Sequence, residues 1–115
     1  MKICIPSEDE KTVSGELFEK AKYFVFFTLR GNTIIARKSI RNKPSNTPYG
    51  LRMQVMKKIT GCSAIICKNM CIRMYMQLQK KGIKLILTDE KSALDAAEKF
   101  IKTKFIEGNG ISILK

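Results

Sequence analysis

Met1-Lys2-Ile3-Cys4-Ile5-Pro6-Ser7, a polar gap, then Val13-Ser14-x-x-x-Phe18-x-x-Ala21-x-Tyr23-Phe24-Val25-Phe26-Phe27: this stretch decides the fold. Residues 2–6 are apolar after Lys2 with no polar alternation, the pattern of a short strand covered on both faces. Residues 7–15 are polar and contain Gly15, so they read as a loop. Residues 16–21 suit a single helical turn. Residues 22–29, dense in aromatics and valine, read as a second strand. The loop thus follows the C-terminal end of a strand, the place where α/β sheets tend to bind ligands.

Outward from there, Gly31-Asn32 before Thr33-Ile34-Ile35-Ala36 is a two-residue hairpin signal, with a third strand over 33–40. Residues 41–49 hold two prolines and two asparagines and form a loop. Leu51, Val55 and Ile59 recur at i, i+4, i+8, which predicts an amphipathic helix stopped by Gly61. Residues 63–67 read as a short buried strand. Asn69 can cap a helix over 70–81 that buries Met70, Met74, Tyr75 and Leu78 and ends at Gly82. Residues 84–87 are the next strand. Ser92-x-x-Asp95 can cap a last helix with Ala93, Leu94, Ala97, Phe100 and Ile101 on its apolar face. The order is β, β, β, α, β, α, β, α, and the alternating second half implies parallel strands with right-handed crossovers. In the tail from Phe105 to Lys115, Ile111-Ser112-Ile113-Leu114 reads either as an edge strand or as a disordered end.

The 115 residues suit a single domain over 1–115, with 104–115 as a C-terminal extension to a core of 1–103. No apolar run approaches the roughly 18 residues of a membrane span. Glu8, Asp9, Glu10 and Lys11 interrupt the start before any signal-peptide core can form, so a soluble cytoplasmic protein is expected. In that setting Cys4, Cys62, Cys67 and Cys71 are expected as free thiols. There is no histidine, which removes Ser-His-Asp and Cys-His catalysis, histidine-ligated zinc and the commonest general base near neutral pH. The net charge of +12 makes an anionic partner plausible, against the bland alternative of lysines that only solubilise the surface.

Four stretches in order resemble the dinitrogenase iron-molybdenum cofactor biosynthesis family. They are the opening Met-Lys-Ile-x-Ile-Pro-Ser, then Val13-Ser14-x-x-x-Phe18-x-x-Ala21-x-Tyr23-Phe24, Lys81-Gly82-Ile83-Lys84-Leu85, and Ala93-Leu94-x-x-Ala97-x-x-Phe100. The likeness runs over roughly residues 1–103. It implies a ribonuclease-H-like three-layer α/β domain, with a five-stranded mixed sheet of order 3-2-1-4-5, strand 2 antiparallel, and about three helices. It also implies a carrier or assembly role for anionic metal–sulfur clusters rather than turnover. The chain departs from the family pattern at five positions. Leu17 stands where the family usually has His, Glu19 where it has Gly, and Lys20 where it has Arg. In the glycine-rich second motif Lys68 and Cys71 replace glycines, which normally let a ligand approach the backbone closely.

In that strand order the loop after strand 1 faces the start of the helix after strand 4. Helix N–H groups with Lys20, Lys68, Asn69 and the hydroxyls of Ser7 and Ser14 would form an anion site there. Cys67-x-x-x-Cys71 lies at the same junction. Lys68, Arg73 and the helix N-terminus are expected to favour thiolates, the form that ligates soft metals. The spacing is not that of a zinc or iron–sulfur site, and small buried hydrophobes are the plain alternative. The methionines read as core fillers, and Tyr23, Phe24 and Phe26 as core rather than base-stacking platforms.

Nuclease chemistry needs clustered carboxylates at strand ends. Strand 1 offers Ile3, Cys4 and Ile5, and the ten acids lie mostly in 8–19 and 89–107. The leading expectation is a non-enzymatic carrier of an iron- or molybdenum-containing sulfide cluster or similar anion, monomeric or weakly dimeric. Its site would be Ser7, Ser14, Lys20, Lys68 and Asn69, with Cys67 and Cys71 as candidate metal ligands. An acidic client protein is the other expected partner. Two alternatives stand beside it: a nucleic-acid-binding module using Arg37, Lys38, Arg41, Lys43 and Arg52, and a protein-interaction domain with a degenerate pocket.

Overall fold

Ile3 and Ile5 of the first strand point to one face of the sheet and Cys4 to the other, and all three are fully buried. A strand apolar on both sides must lie in the interior of a sheet covered on both faces. The computed structural model describes residues 1–43, 45–103 and 110–114. Pro44 of the expected loop, and residues 104–109 and Lys115 of the expected extension, lie outside the described residues.

The strands are β1 (Lys2–Ser7), β2 (Tyr23–Arg30), β3 (Thr33–Arg41), β4 (Ala64–Cys67), β5 (Lys84–Thr88) and β6 (Ile111–Leu114). The helices are α1 (Pro48–Ile59), α2 (Ile72–Lys80) and α3 (Ala93–Lys102), with a single 3-10 turn at Phe18–Lys20. The sheet has six strands in the order β3-β2-β1-β4-β5-β6. β2 is antiparallel to both neighbours, and β1, β4, β5 and β6 run parallel. The expected five strands are therefore one too few. Ile111–Leu114 adds along β5 and buries Leu114, so the tail's other reading, an edge strand, is the one the structure adopts.

β2 and β3 meet through Gly31-Asn32, where Gly31 takes φ 58°, the left-handed conformation a tight hairpin turn requires. α1 and α2 cover the sheet face of Cys4, Phe24, Phe26, Ile65 and Cys67 with Val55, Ile59, Met74 and Leu78. α3 covers the opposite face of Ile3, Ile5, Val25, Phe27, Ile66 and Ile86 with Ala93, Ala96, Ala97 and Phe100. Leu94, expected on the apolar face of α3, is 40% exposed, and Ala96 takes its place in the core. Ser92 caps α3 as expected, its Oγ accepting from Asp95 N at 3.1 Å. Among the described residues no helix is long and apolar enough to cross a membrane.

α2 begins later than the sequence suggests. Asn69 is not its cap. Cys71 is, with Sγ accepting from Met74 N at 3.4 Å. Asn69 is occupied elsewhere: its Nδ2 donates to Gly15 O at 3.1 Å and its carbonyl accepts from Phe18 N at 2.9 Å.

Candidate ligand crevice

β1 and β4 are parallel neighbours, so Ser7 and Cys67 end at the same edge of the sheet. From there the chain leaves β1 toward the β2 side and β4 toward the β5 side, which is the topological switch point of an open α/β sheet. The loop after β1 is built by its own side chains. Asp9 Oδ1 accepts from Lys11 N (2.9 Å), Thr12 N (2.8 Å), Thr12 Oγ1 (2.9 Å) and Ser7 Oγ (3.1 Å). These bonds hold its carboxyl well below the usual carboxylate range, the Thr12 and Lys11 N–H groups first. Ser14 Oγ donates to Glu8 Oε2 at 3.0 Å, which also accepts from Lys22 N at 3.0 Å. The hydroxyls of Ser7 and Ser14, 0% and 1% exposed, thus serve the loop itself.

The remaining candidate residues divide between two hollows. Lys68 and Asn69 line one of about 270 Å³ with Met70, Ile72, Tyr75, Leu85, Leu87 and Ile111. Lys20 lines another, of about 320 Å³, with Lys22, Arg41, Asn42 and Lys43. The Phe18–Lys20 turn carries Lys20 away from the β4–α2 junction, a direction that residue spacing in a loop does not encode.

The thiols lie on the α1/α2 face. Burial pushes the Cys67 thiol up to about 12, and the neighbouring Glu19 acid pushes the same way. Partial burial and then Glu19 push Cys71 up too, although the N–H of Met74 opposes them. The expectation of thiolates at the helix start is therefore overturned. Arg73 is exposed and Lys68 partly so, while desolvation and a buried acid act on the sulfurs directly. Among the described residues no three Cys, Asp or Glu side chains form a group that could hold a metal ion.

Glu19 is the functional candidate that sequence reasoning missed. It is 5% exposed, its Oε1 is buried without a hydrogen-bond partner, and it stands beside both thiols. A signal was present: an acid between the apolar Phe18 and Ala21, where the resemblance leads one to expect glycine. Replacing Glu19 by Gln removes the negative neighbour and lowers both thiol pKa values. Alkylation of Cys71 by iodoacetamide near pH 8 should accelerate several-fold, because the thiolate is the nucleophile. Equal rates in the two proteins would disprove the coupling.

The sequence pattern of the dinitrogenase iron-molybdenum cofactor family matches residues 1–103. Since that span is most of the chain, this protein belongs to that family. Solved structures agree on the fold. The crystal structure of PH0822 superposes with a TM-score of 0.75 at 22% identity, over 93% of this chain and 94% of that one. A proposed dinitrogenase from Methanocaldococcus jannaschii gives 0.72 at 25% identity, over 93% of each chain. A proposed NifB protein from Thermotoga gives 0.67 at 19% identity, over 92% of this chain and 91% of the other. No curated protein matches the sequence.

Proposed function

We propose that this protein is a non-enzymatic carrier of an intact, anionic iron- or molybdenum-containing sulfide cluster, held where the loop after β1 meets the start of α2. The observation that carries this reading is the position of Cys71. It is half-buried at the N-cap of α2, flanked by Lys68 and Arg73, at the sheet's switch point, in a chain of the iron-molybdenum cofactor family. A preassembled cluster is favoured over a bare ion because it brings its own sulfide, while the described side chains supply no closed set of ligands. In this reading Lys68 neutralises charge, Asn69 and the first N–H groups of α2 donate, and Cys71 ligates after losing its proton to solvent, while Lys20, turned into the other hollow, takes no part. Cys67, fully buried, supports the floor of the site. Ser7 and Ser14 act by holding the loop in place. The ribonuclease-H-like naming of the layout belongs to the same reading.

The test is metal and sulfide analysis with a visible absorption spectrum on protein purified without oxygen, repeated on Cys71→Ser. Stoichiometric iron or molybdenum with colour, lost in the variant, is the expected result. A colourless protein that a supplied cluster cannot load would end this reading.

The nucleic-acid alternative has less support. Arg37 lies over the Phe27 ring and donates to the Glu10 carbonyl, Arg41 lies over Tyr23, and Arg52 opens into the α1–α2 groove beside Tyr49 and Met53. These cations do not form one track for a phosphate backbone.

A further inference from the structure

We infer that the hollow between the Phe18–Lys20 turn, the end of β3 and the start of α1 is a binding site for the diphosphate chain of a small ligand. Its walls carry Lys20, Lys22, Arg41 and Lys43, with Ser45 at the rim. The volume of about 320 Å³ falls at the lower end of small-ligand pockets, roughly 300–1,000 Å³.

Three observations support it. The hollow is built rather than incidental. At its base Asn42, 8% exposed, donates from Nδ2 to both Glu19 O and Ala21 O at 2.9 Å, and its N–H donates to Lys22 O at 2.8 Å. One buried side chain therefore fixes the turn against the end of β3, and the cations on both walls keep their spacing. Second, the charge is uncompensated. No Asp or Glu occurs from Lys20 to Thr88, and the one ion pair among the described residues, Lys99 with Glu90, lies on the other side of the sheet. The ammonium groups of Lys20, Lys22 and Lys43 have no partner among the described residues. Third, the crowding reaches Lys58, whose Nζ lies 3.4 Å from Asn42 Oδ1. Burial lowers its pKa and Lys43 lowers it further. Of the two acids nearby, Glu8 accepts from the Lys22 backbone N–H and from Ser14 Oγ, and Glu19 has its carboxyl buried toward the thiols.

Four cations on separate walls match a ligand that spreads charge over several oxygens. A lone carboxylate would meet one or two of them, whereas a diphosphate reaches both walls. The concave arrangement favours a small ligand over a nucleic-acid strand, which needs cations in a row. This site stands apart from the proposed cluster site, and the two share no residue.

The experiment is calorimetric titration of the full chain with inorganic pyrophosphate at low ionic strength, with amide chemical shifts recorded in parallel. Two variants of equal charge are compared: Lys22→Ala/Lys43→Ala and the control Lys57→Ala/Lys81→Ala. Saturable one-to-one binding is expected, with shifts at Asn42, Lys43 and Ser45. The first pair should weaken binding about 100-fold, at about tenfold per lysine, and the control less than about threefold, as screened distant charges do. Equal losses in both pairs would mean unlocalised charge and overturn the site. So would the absence of saturation at millimolar pyrophosphate. A single-stranded oligonucleotide that displaces pyrophosphate from the same amides at lower concentration would overturn the small-ligand assignment.

Discussion

Raising the pH from 8 to 11 under reducing conditions is expected to strip several kcal/mol from the stability of the folded chain, and Cys67 is one identified source. Its thiol has an ordinary value of 9.0 and a folded value of about 12, because burial and Glu19 both resist the thiolate. The folded state therefore binds this proton more tightly than the unfolded chain does. Such a group stabilises fully below pH 9 and its contribution fades as pH climbs through about 12. At pH 11 the loss attributable to Cys67 is ~2.7 kcal/mol, at ~1.36 kcal/mol per pH unit above 9. Cys62, pushed to about 11 by burial, and Cys4, raised by burial and then by the thiols of Cys62 and Cys67, add to the same window. Lys58 works in the opposite direction, its depressed value relieving a penalty as pH rises, but it is partly in water and its share is small. Urea midpoints between pH 8 and 11 measure the slope. Cys67→Ala should start lower and fall less steeply, and parallel curves for the two proteins would refute the assignment.

The second large effect is expected at Phe18. Its ring is fully buried, 5.0 Å from the ring of Phe24 and tilted by 44°, on the face covered by α1 and α2. Its N–H is also the bond that joins the turn to the Asn69 carbonyl. Phe18→Ala should cost about 3–5 kcal/mol, the usual toll for emptying a buried aromatic site. That is a large part of the roughly 5–15 kcal/mol holding a domain together. Phe18→Leu should recover most of it. Because Glu19 and Lys20 follow directly on Phe18, the alanine variant should also expose Cys71 to faster alkylation before global unfolding sets in. A denaturation midpoint for Phe18→Ala close to that of the parent would show that the turn is not an anchor.

Strand identities were legible because burial leaves a compositional mark. β1, β2 and β4 are apolar on both faces, and the alternation of Ile3 and Ile5 against Cys4 then sorts the two cores. The hairpin at Gly31-Asn32 and the cap at Ser92 were legible because those chemistries are local. The start of α2 was not. Asn69 is the better capping residue by type, but a loop more than fifty positions away claims its side chain and carbonyl, and the cap passes to the thiol of Cys71. The sixth strand was ambiguous because a four-residue edge segment carries little pattern of its own, and only pairing with β5 decides it. The crevice at the switch point was legible, but the disposition of the side chains around it was not. The switch point follows from strand order, whereas the inward turn of Glu19 and the separation of Lys20 from Lys68 depend on side-chain directions within a single 3-10 turn. The thiolate expectation failed for a related reason: neighbouring charges can be counted along a sequence, but desolvation cannot.

The distribution of acids has one further consequence. Every Asp and Glu precedes Lys20 or follows Thr88, so α1 and α2 carry none, while α3 and the turn before it carry Asp89, Glu90, Asp95 and Glu98. On the α3 side these four acids offset Lys91, Lys99 and Lys102, whereas the cations of α1 and α2 stand unopposed, so positive charge is concentrated on one side of the sheet and the molecule has a dipole moment running through its thickness. Far from any anion it is simply a cation. Within about a Debye length, ~8 Å at physiological salt, the field exerts a torque as well as an attraction. Rotational search is shortened, and a negatively charged partner first meets the α1/α2 side before any specific contact has formed.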